Sequence, residues 1–445
     1  MNKQELYNKM PIFIQNMAIS AEGMRLAKLR WGEFFQKRLE FYRESDKWSE
    51  DQIAEYQNTK LKELCIHAYE TVPFYKREFD EYGFDPYAFK DRDELRKLPV
   101  LTKEVVQENY RDFISTAKLD SKTHIIRTGG STGKSMLIYE TWNEQADWWA
   151  ICWRHREKIG IPFGTWGGEL CSKLVVPQSQ KKAPYSRVDY GEHRVFFSPY
   201  HLNETTIEEY ASELRRVRWL HGYTSKLVYL ANELQEKGIE LPMDYVTVAA
   251  EKLYESNKAM LERVFRCKVY QLYGLTERAA NISQQPDGSM RIDEDFSFVE
   301  FEKNDRGLGI IGTNFLRKRM PLIRYKTGDY AKFSGRCNGG YRIIDSLEGR
   351  EFEYLIRENG TAITAVEIDE EIIKHVEHIA EAQVYQKKNK QVEFRVHKGV
   401  GYSLKDEQLL RRKIEEVFNG DKIKIVYVDN IENENNGKRK MLLKE

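Results

Sequence analysis

The segment Arg127-Thr128-Gly129-Gly130-Ser131-Thr132-Gly133-Lys134-Ser135 gathers glycines, hydroxyls and an ammonium directly after the β-like pair Ile125-Ile126. Glycines let backbone N–H groups close on an anion, and the hydroxyls and lysine add donors and charge. The composition suits phosphate. A Walker A loop would need glycine at 128, where Thr128 stands. Taken alone, the segment also reads as a Gly/Ser turn.

Four further segments carry chemistry-bearing side chains. Tyr273-Gly274-Leu275-Thr276-Glu277 follows an apolar stretch at 269–272. There an aromatic can stack, a glycine clears space, a hydroxyl can meet phosphate and a carboxylate can hold Mg²⁺. A turn with a helix-capping threonine is the other reading. In Arg324-Tyr325-Lys326-Thr327-Gly328-Asp329 the carboxylate after a tight turn could accept two ribose hydroxyls, or could simply belong to that turn. Gly349-Arg350 alone is a turn, and Gly437-Lys438-Arg439-Lys440 near the end also reads as a solvated basic tail.

The elements that must position these residues follow from periodicity. The first 60 residues read as helix: Trp31, Phe34, Phe35, Leu39 and Tyr42 recur at the 3.6 period, interleaved with Arg30, Lys37, Arg38 and Arg43. Such a helix could meet a membrane or nucleic acid, but its interleaved acidic residues favour packing on its own protein. From about residue 100, short β-like stretches (125–126, 173–176, 195–197, 246–250, 269–272) alternate with amphipathic helices such as 206–220 and 255–265. This alternation predicts α/β layering with a substantially parallel sheet. The stretch 296–345 reads as a small β-subdomain, with strands at 298–301 and 309–314 and turns at 305–307 and 328–329. Beyond it, strands at 354–357, 382–387, 392–397 and 423–428 with helices at 365–375 and 404–418 predict a compact α+β unit.

Composition narrows the classes. The chain has 445 residues, long enough to bury a large core without staples. Lys and Arg number 71 against 70 Asp and Glu, a net charge of +1, which argues against a general nucleic-acid binder. No apolar run approaches membrane-spanning length. The five cysteines are odd in number and widely spaced, which fits a reducing cytoplasm. His375 and His378 stand three apart, but Glu370 and Glu377 surround them on what reads as a solvated face, so metal binding there is disfavoured.

The order and spacing of the five segments together resemble the adenylate-forming superfamily of acyl- and aryl-CoA synthetases, luciferases and peptide-synthetase adenylation domains. Its phosphate loop Thr-Ser-Gly-Thr-Thr-Gly-Lys is similar to Thr128 through Lys134. Its Tyr-Gly-x-Thr-Glu matches Tyr273 through Glu277, and its Tyr-x-Thr-Gly-Asp matches Tyr325 through Asp329. Its Gly-Arg hinge and terminal Gly-Lys are similar to Gly349-Arg350 and Gly437-Lys438. The resemblance covers about residues 60 to 445. Within the superfamily, Thr71-Val72-Pro73-Phe74-Tyr75 and Leu98-Pro99-Val100-Leu101-Thr102-Lys103 resemble the phenylacetate–CoA ligase branch. The residues 194–200 and His221-Gly222-Tyr223-Thr224-Ser225 resemble its relatives in capsular polysaccharide biosynthesis.

This resemblance implies an α/β fold: a large multi-layered N-terminal adenylation domain over 1–348 (helical lead-in 1–60, β-subdomain about 296–345), a hinge at 349–353, and a small α+β C-terminal lid over 354–445. It implies ATP-dependent activation of a carboxylic acid as an acyl-adenylate, with transfer to CoA, a carrier protein or another acceptor. The implied cofactors are ATP and Mg²⁺, with CoA as a candidate acceptor. Zinc is not expected, because 278–291 holds neither Cys nor His. No nucleic acid or membrane span is expected as partner, and a homodimer is compatible.

The implied roles are these. Thr128, Gly129, Gly130, Ser131, Thr132, Gly133 and Lys134 cradle phosphates, Thr276 touches the α-phosphate, and Glu277 holds Mg²⁺. Asp329 grips the ribose with Arg350, while Ala250, Glu251, Lys252, Tyr273 and Gly274 line the adenine slot. Lys438 bridges the attacking carboxylate and the α-phosphate, and His221, Tyr223, Ser225 and Ala249 border the acid. One departure stands out: the family hinge continues Gly-Arg-x-Asp-Asp, whereas Glu351-Phe352-Glu353 follows here. It motivates the alternative of a non-catalytic nucleotide-binding or scaffold protein in a polysaccharide pathway.

Overall fold

The structure is a computed structural model. It describes the chain except residues 1–2, 129–135, 252, 305–306, 349–353, 365–366, 369–370, 389–390, 400, 430 and 432–440. It opens with five helices: α1 (Lys3–Asn8), α2 (Ile12–Arg30), α3 (Glu33–Ser45), α4 (Glu50–Thr71) and α5 (Pro73–Glu81). Local chemistry sets their limits. Ser49 and Gln52 form a reciprocal capping box that starts α4, and Pro73 supplies the first residue of α5 after the extended Val72. Helix α6 (Lys103–Glu108) and the antiparallel hairpin β1 (Thr123–Arg127) and β2 (Leu137–Thr141) lead into α7 (Trp142–Lys158).

The core is one twisted sheet. Its strands are β3 (Gly167–Leu170), β4 (Ser186–Asp189), β5 (Arg194–Phe197), β6 (Trp219–Tyr223), β7 (Tyr245–Ala249), β8 (Val269–Gly274), β9 (Asn281–Gln284) and β10 (Met290–Ile292). Helices α8 (Ile207–Leu214), α9 (Thr224–Glu236) and α10 (Glu255–Phe265) connect them. A four-stranded antiparallel sheet follows, built from β11 (Ser297–Asn304), β12 (Gly307–Asn314), β13 (Tyr325–Lys332) and β16 (Ser346–Glu348). Between its last two strands, β14 (Cys337–Asn338) and β15 (Tyr341–Ile344) return to the large sheet. That sheet has ten strands in the order β14-β15-β10-β9-β8-β7-β6-β3-β5-β4. The run β8-β7-β6-β3-β5 is parallel, as the alternation of elements predicts, and antiparallel strands close both sides.

The C-terminal part holds the hairpin β17 (Tyr354–Ile356) and β18 (Ala362–Thr364). It also holds a sheet β21-β20-β19-β22 formed by β19 (Ile379–Gln386), β20 (Val392–Lys398), β21 (Ile423–Tyr427) and β22 (Leu442–Lys444). Helix α11 (Leu404–Phe418) buries Leu410, Ile414, Val417 and Phe418 against Val384, Phe394 and Val396.

Three sequence expectations change. Residues 173–176 are not a strand. The strand is the preceding Gly-Gly-Glu-Leu, which lacks β-branched residues because it has no room for them. A Cβ at Gly167 would sit 2.9 Å from Arg194 Nη1 and from Trp219, and one at Gly168 would sit 3.0 Å from Phe197 and Val217. The helix expected over 206–220 ends at Leu214, and Trp219 and Leu220 begin the central strand β6. Gly328-Asp329 is not a terminal turn but lies inside β13, where Gly328 has φ +80° and the register with β12 shifts between Gly309 and Ile311. The bulge bends the strand and turns Asp329 inward.

The lead-in helices pack on the body. Phe35, Leu39 and Tyr42 are buried against α7, and Arg38 bonds Asp147 at 2.5 Å. Behind them lies a buried charge cluster. Arg154 on α7 donates to Asp293 at 2.7 Å and also pairs with Asp295. Tyr341 donates to Asp295 at 3.0 Å, and Asn281 donates to Asp293 at 2.6 Å. Removing the cation would leave two buried carboxylates with only the more distant Arg291, 3.7 Å from Asp293, to balance them. We expect Arg154→Met to destabilise the protein by about 3–5 kcal/mol in urea titrations, against under about 1 kcal/mol for the exposed Arg25→Met.

Candidate active site

The hairpin β1–β2 presents the glycine-hydroxyl loop. Its base is closed at Thr128: the Thr128 N–H donates to Met136 O at 2.9 Å, and the Met136 N–H donates to Thr128 Oγ1 at 2.9 Å. The other loop residues expected to cradle phosphate, Gly129, Gly130, Ser131, Thr132, Gly133 and Lys134, lie outside the described residues, as do Lys252, Arg350 and Lys438.

Two of the sequence motifs are bound to each other reciprocally. Tyr273 at the end of β8 donates its hydroxyl to Asp329 Oδ2 at 3.0 Å, and Tyr325 of β13 donates to Glu277 Oε1 at 3.1 Å. Burial and the adjoining Asp329 carboxylate push the Tyr273 hydroxyl well above its ordinary value, so it stays protonated as a donor. The bulge is pinned by Thr327, whose hydroxyl donates to Ile310 O at 2.9 Å and receives the Asp329 N–H at 3.1 Å. Gly274 is needed beside Tyr273, since a Cβ there would stand 3.0 Å from Asn281 Oδ1. Thr276 sits in the turn after β8, partly accessible.

An ion pair invisible in the sequence joins the hairpin to this turn. Arg278, next to Glu277, donates to both oxygens of Glu140 on β2, at 2.8 and 3.0 Å. Burial acts to raise the Glu140 carboxyl. The charge of Arg278, the contact with His124 and the field of Arg317 outweigh it and hold the carboxyl down at about 2. Met136 and Ile138 of the hairpin, Leu275 and Ala279 flanking the turn, and Tyr325 of β13 share one apolar cluster. The end of the hairpin at Thr128 and Met136, the 273–277 segment and the 325–329 segment therefore meet.

The remaining expected residues lie beside them at the carboxyl ends of the parallel strands, where open α/β sheets bind ligands. Ala249 ends β7, and Ala250 follows with φ +68°, a strained value for a non-glycine residue. The Glu251 carbonyl accepts from Thr224 Oγ1 at 3.3 Å. Ser225 is the second residue of α9. Tyr223 O–H meets Ser172 Oγ at 3.3 Å. His221 Nδ1 is 2.9 Å from Thr247 Oγ1, and burial with the neighbouring Arg156 charge lowers its pKa to about 4, so it is neutral at pH 7.

The C-terminal part closes over this edge. Lys226 of α9 pairs with Glu367 at 3.0 Å, both buried, and Tyr229 donates to Gly360 O at 3.0 Å. A cavity of about 610 Å³ opens between the hairpin (Arg127, Tyr139) and Lys374, His375 and Glu377. His378, weighed as a metal ligand, pairs with Asp406 at 3.2 Å.

Comparisons with known proteins agree with this arrangement. The family described as the CapK C-terminal domain matches residues 355–445. Protein CapK of Staphylococcus aureus is 26% identical over 382 residues, covering 82% of this chain and 83% of its own. Phenylacetate-coenzyme A ligase of Escherichia coli (strain K12) is 26% identical over 368 residues, covering 75% and 78%. Over most of its length the chain is thus similar to protein CapK and to phenylacetate-coenzyme A ligases. A crystal structure of 2-hydroxyisobutyryl-CoA ligase with 2-HIB-AMP and CoA shares the fold at a TM-score of 0.55 and 17% identity, over 89% of this chain and 90% of that one. The sequence relatives span most of the chain, and the structural neighbour supports the architecture.

Because Glu140 carries a depressed pKa, its contribution to stability is complete above its ordinary value of 4.5 and is lost as pH falls towards 2. Glu140→Gln removes that contribution at neutral pH. We expect the variant to lose about 3–5 kcal/mol at pH 7 and to show a flatter stability profile between pH 4.5 and 2 in chemical denaturation.

Proposed function

We propose that this protein activates a carboxylic acid with ATP, forming an acyl-adenylate and releasing pyrophosphate, and then passes the acyl group to CoA or a carrier protein. A carboxylate oxygen leaves badly. Attack of the carboxylate on the α-phosphorus gives a mixed anhydride whose AMP leaves readily. The protein's task is to hold a polyanion in line with the acid and to meet the charge that develops. The observation that carries this reading is the reciprocal pairing Tyr273–Asp329 and Tyr325–Glu277 at the carboxyl edge of the parallel strands, tied to the hairpin by Glu140–Arg278.

In this reading residues 128–134 bind the β- and γ-phosphates, Thr276 the α-phosphate, and Asp329 with Arg350 the ribose. Ala250, Glu251, Lys252, Tyr273 and Gly274 border adenine, and His221, Tyr223, Ser225 and Ala249 border the acid. Lys438 donates to the attacking carboxylate and the α-phosphate oxygens. Among the described residues no group of three or more His, Cys, Asp or Glu could hold a metal ion. Glu277 alone fits Mg²⁺, which commonly takes one or two carboxylates plus substrate phosphates. When bound, that ion supplies charge neutralisation at the phosphates.

The division of labour follows the same reading: residues 1–348 form the adenylating body, 349–353 the hinge and 354–445 the lid. Among the described residues no helix is long and apolar enough to cross a membrane. A cytoplasmic location and a homodimer fit this reading. The hinge sequence Glu351-Phe352-Glu353 favours a second reading, a nucleotide-binding scaffold without turnover.

Acid-dependent exchange of labelled pyrophosphate into ATP, run over a panel of carboxylic acids, separates the two. We expect exchange with at least one acid, and a loss of about 10²–10³-fold in Lys438→Ala with an unchanged melting temperature. Nucleotide binding without exchange for any acid would establish the scaffold, and full exchange by Lys438→Ala would remove that lysine from the chemistry. AMP release that does not rise on adding CoA would exclude CoA as acceptor.

A further inference from the structure

Below the proposed acid site, the sheet face opposite α7 is polar where a purely aryl pocket would be apolar. The cross-strand pairings put Tyr223 and Ala249 at one level, Glu169, His221 and Thr247 at the next, and Gly167, Trp219 and Arg194 at the third. Four strand residues separate Tyr223 from Trp219, about 13 Å. The facing stripe of α7 descends in step. Trp148 lies 3.8 Å from where a Gly274 Cβ would stand, and Arg156, two turns further on, reaches Trp219. His221, Tyr223 and Arg194 keep accessible surface although they sit on inner strands of the sheet.

Two guanidinium groups meet at the floor. Arg194 stacks on Trp219 at 4.4 Å, and Arg156 lies 4.8 Å from the same ring and 4.9 Å from Trp153. Stacking occupies the face of a guanidinium and leaves its in-plane N–H donors unmet. Arg156 is 8% exposed, its side chain forms no hydrogen bond or ion pair among the described residues, and its Nη1 is without an acceptor. Arg194 donates only to backbone carbonyls, at 3.2 and 3.3 Å. The carboxylates whose fields reach the pair are engaged elsewhere: Glu169 by Lys173 at 3.2 Å, Glu192 by Arg30 at 2.7 Å, and Asp189 by the Gly191 N–H at 2.8 Å. Neither guanidinium thus has a carboxylate in hydrogen-bond contact, and an anion that enters would supply one. Gly167 keeps the space for both Arg194 and Trp219, since its Cβ would collide with each.

We propose that the acid activated here carries a second anionic group, and that Arg156 and Arg194 bind that group at the pocket floor and set specificity. The proposal rests on the acid-activation reading and adds to it the class of acid. Members are acids with a distal carboxylate or phosphate-type oxyanion, rather than a simple aryl or alkyl acid.

The test compares pyrophosphate exchange with α,ω-dicarboxylic acids of about six to nine carbons, a length suited to that descent, against their monomethyl esters. A second series sets 6-phosphonohexanoic acid against its diethyl ester. We expect the anionic member of one series to exceed its ester by about 10- to 100-fold in kcat/KM. Arg156→Gln and the less buried Arg194→Gln should each cut that preference at least about tenfold, with Arg156→Lys retaining part of it. Equal use of acid and ester in both series, or a preference untouched in both glutamine variants, overturns the proposal. If no acid of any kind supports exchange, acid activation itself fails, and calorimetric titration with the same pairs decides the pocket. Tighter binding of the anionic member that Arg156→Gln abolishes supports the floor site, and equal binding overturns it.

Discussion

The buried pair between Glu140 and Arg278 is the contact on which the placement of hairpin β1–β2 depends. Hairpin β1–β2 belongs to neither of the large sheets, so nothing in the backbone ladder fixes its loop relative to the 273–277 turn. Glu140 supplies that link with two charge-assisted hydrogen bonds to the residue next to Glu277. The carboxylate is fully buried; it also contacts His124 of β1 and Gln145 of α7, and Arg317, between β12 and β13, lies 4.0 Å away. Such a pair contributes little net stability compared with an apolar replacement, but it permits one register only. For the proposed phosphate site that uniqueness matters more than stability, because an error of about 1 Å in donor placement can cost about a hundredfold in rate.

The same logic of fixed placement runs through the two motif segments. Tyr273 and Tyr325 each orient the other segment's carboxylate. Asp329 and Glu277 are thus each held from the other segment. The bulge at Gly328 makes this geometry available: a regular strand would have left Asp329 on a different face. Asp329 and Glu277 lie near the carboxyl ends of the parallel strands, and Arg194 on β5 and Arg156 on α7 lie at their other end beside Trp219. The molecule thus arranges negative groups near the proposed nucleotide end and positive ones at the far end, a polarity that would orient an acid with unlike ends.

How much of this was legible depends on range. Glycines and hydroxyls of the 127–135 segment, and the Tyr, Thr, Glu and Asp of the two later segments, betray themselves because residue type and spacing are tied to chemistry. The parallel sheet was legible from alternation. Strand β3 was not, since Gly167-Gly168-Glu169-Leu170 offers no β-branched residue, and its glycines answer to Arg194, Trp219 and Phe197 far along the chain. Glu140 and Arg278 stand 138 residues apart and look like two ordinary surface charges until the fold joins them. Nothing in the types or spacing of Arg154, His155 and Arg156 sets them apart, yet all three are buried. Strand β22, only three residues long, is too short for any periodicity and exists because it pairs in parallel with β19.

The contact between body and C-terminal part has its own energetics. Lys226 and Glu367 are both buried in their pair, and Tyr200 packs into the C-terminal apolar cluster. Deleting either charge would strand the other in a dry environment and cost several kcal/mol. Separating the two parts would be different, because both charges would regain water together, and hydration would offset much of the lost attraction. The apolar contribution has no such compensation, since exposing an aromatic ring such as Tyr200 costs about 1.5–3 kcal/mol. A rearrangement of the C-terminal part is therefore opposed mainly by its apolar contacts, and the ion pair selects the seat to which it returns.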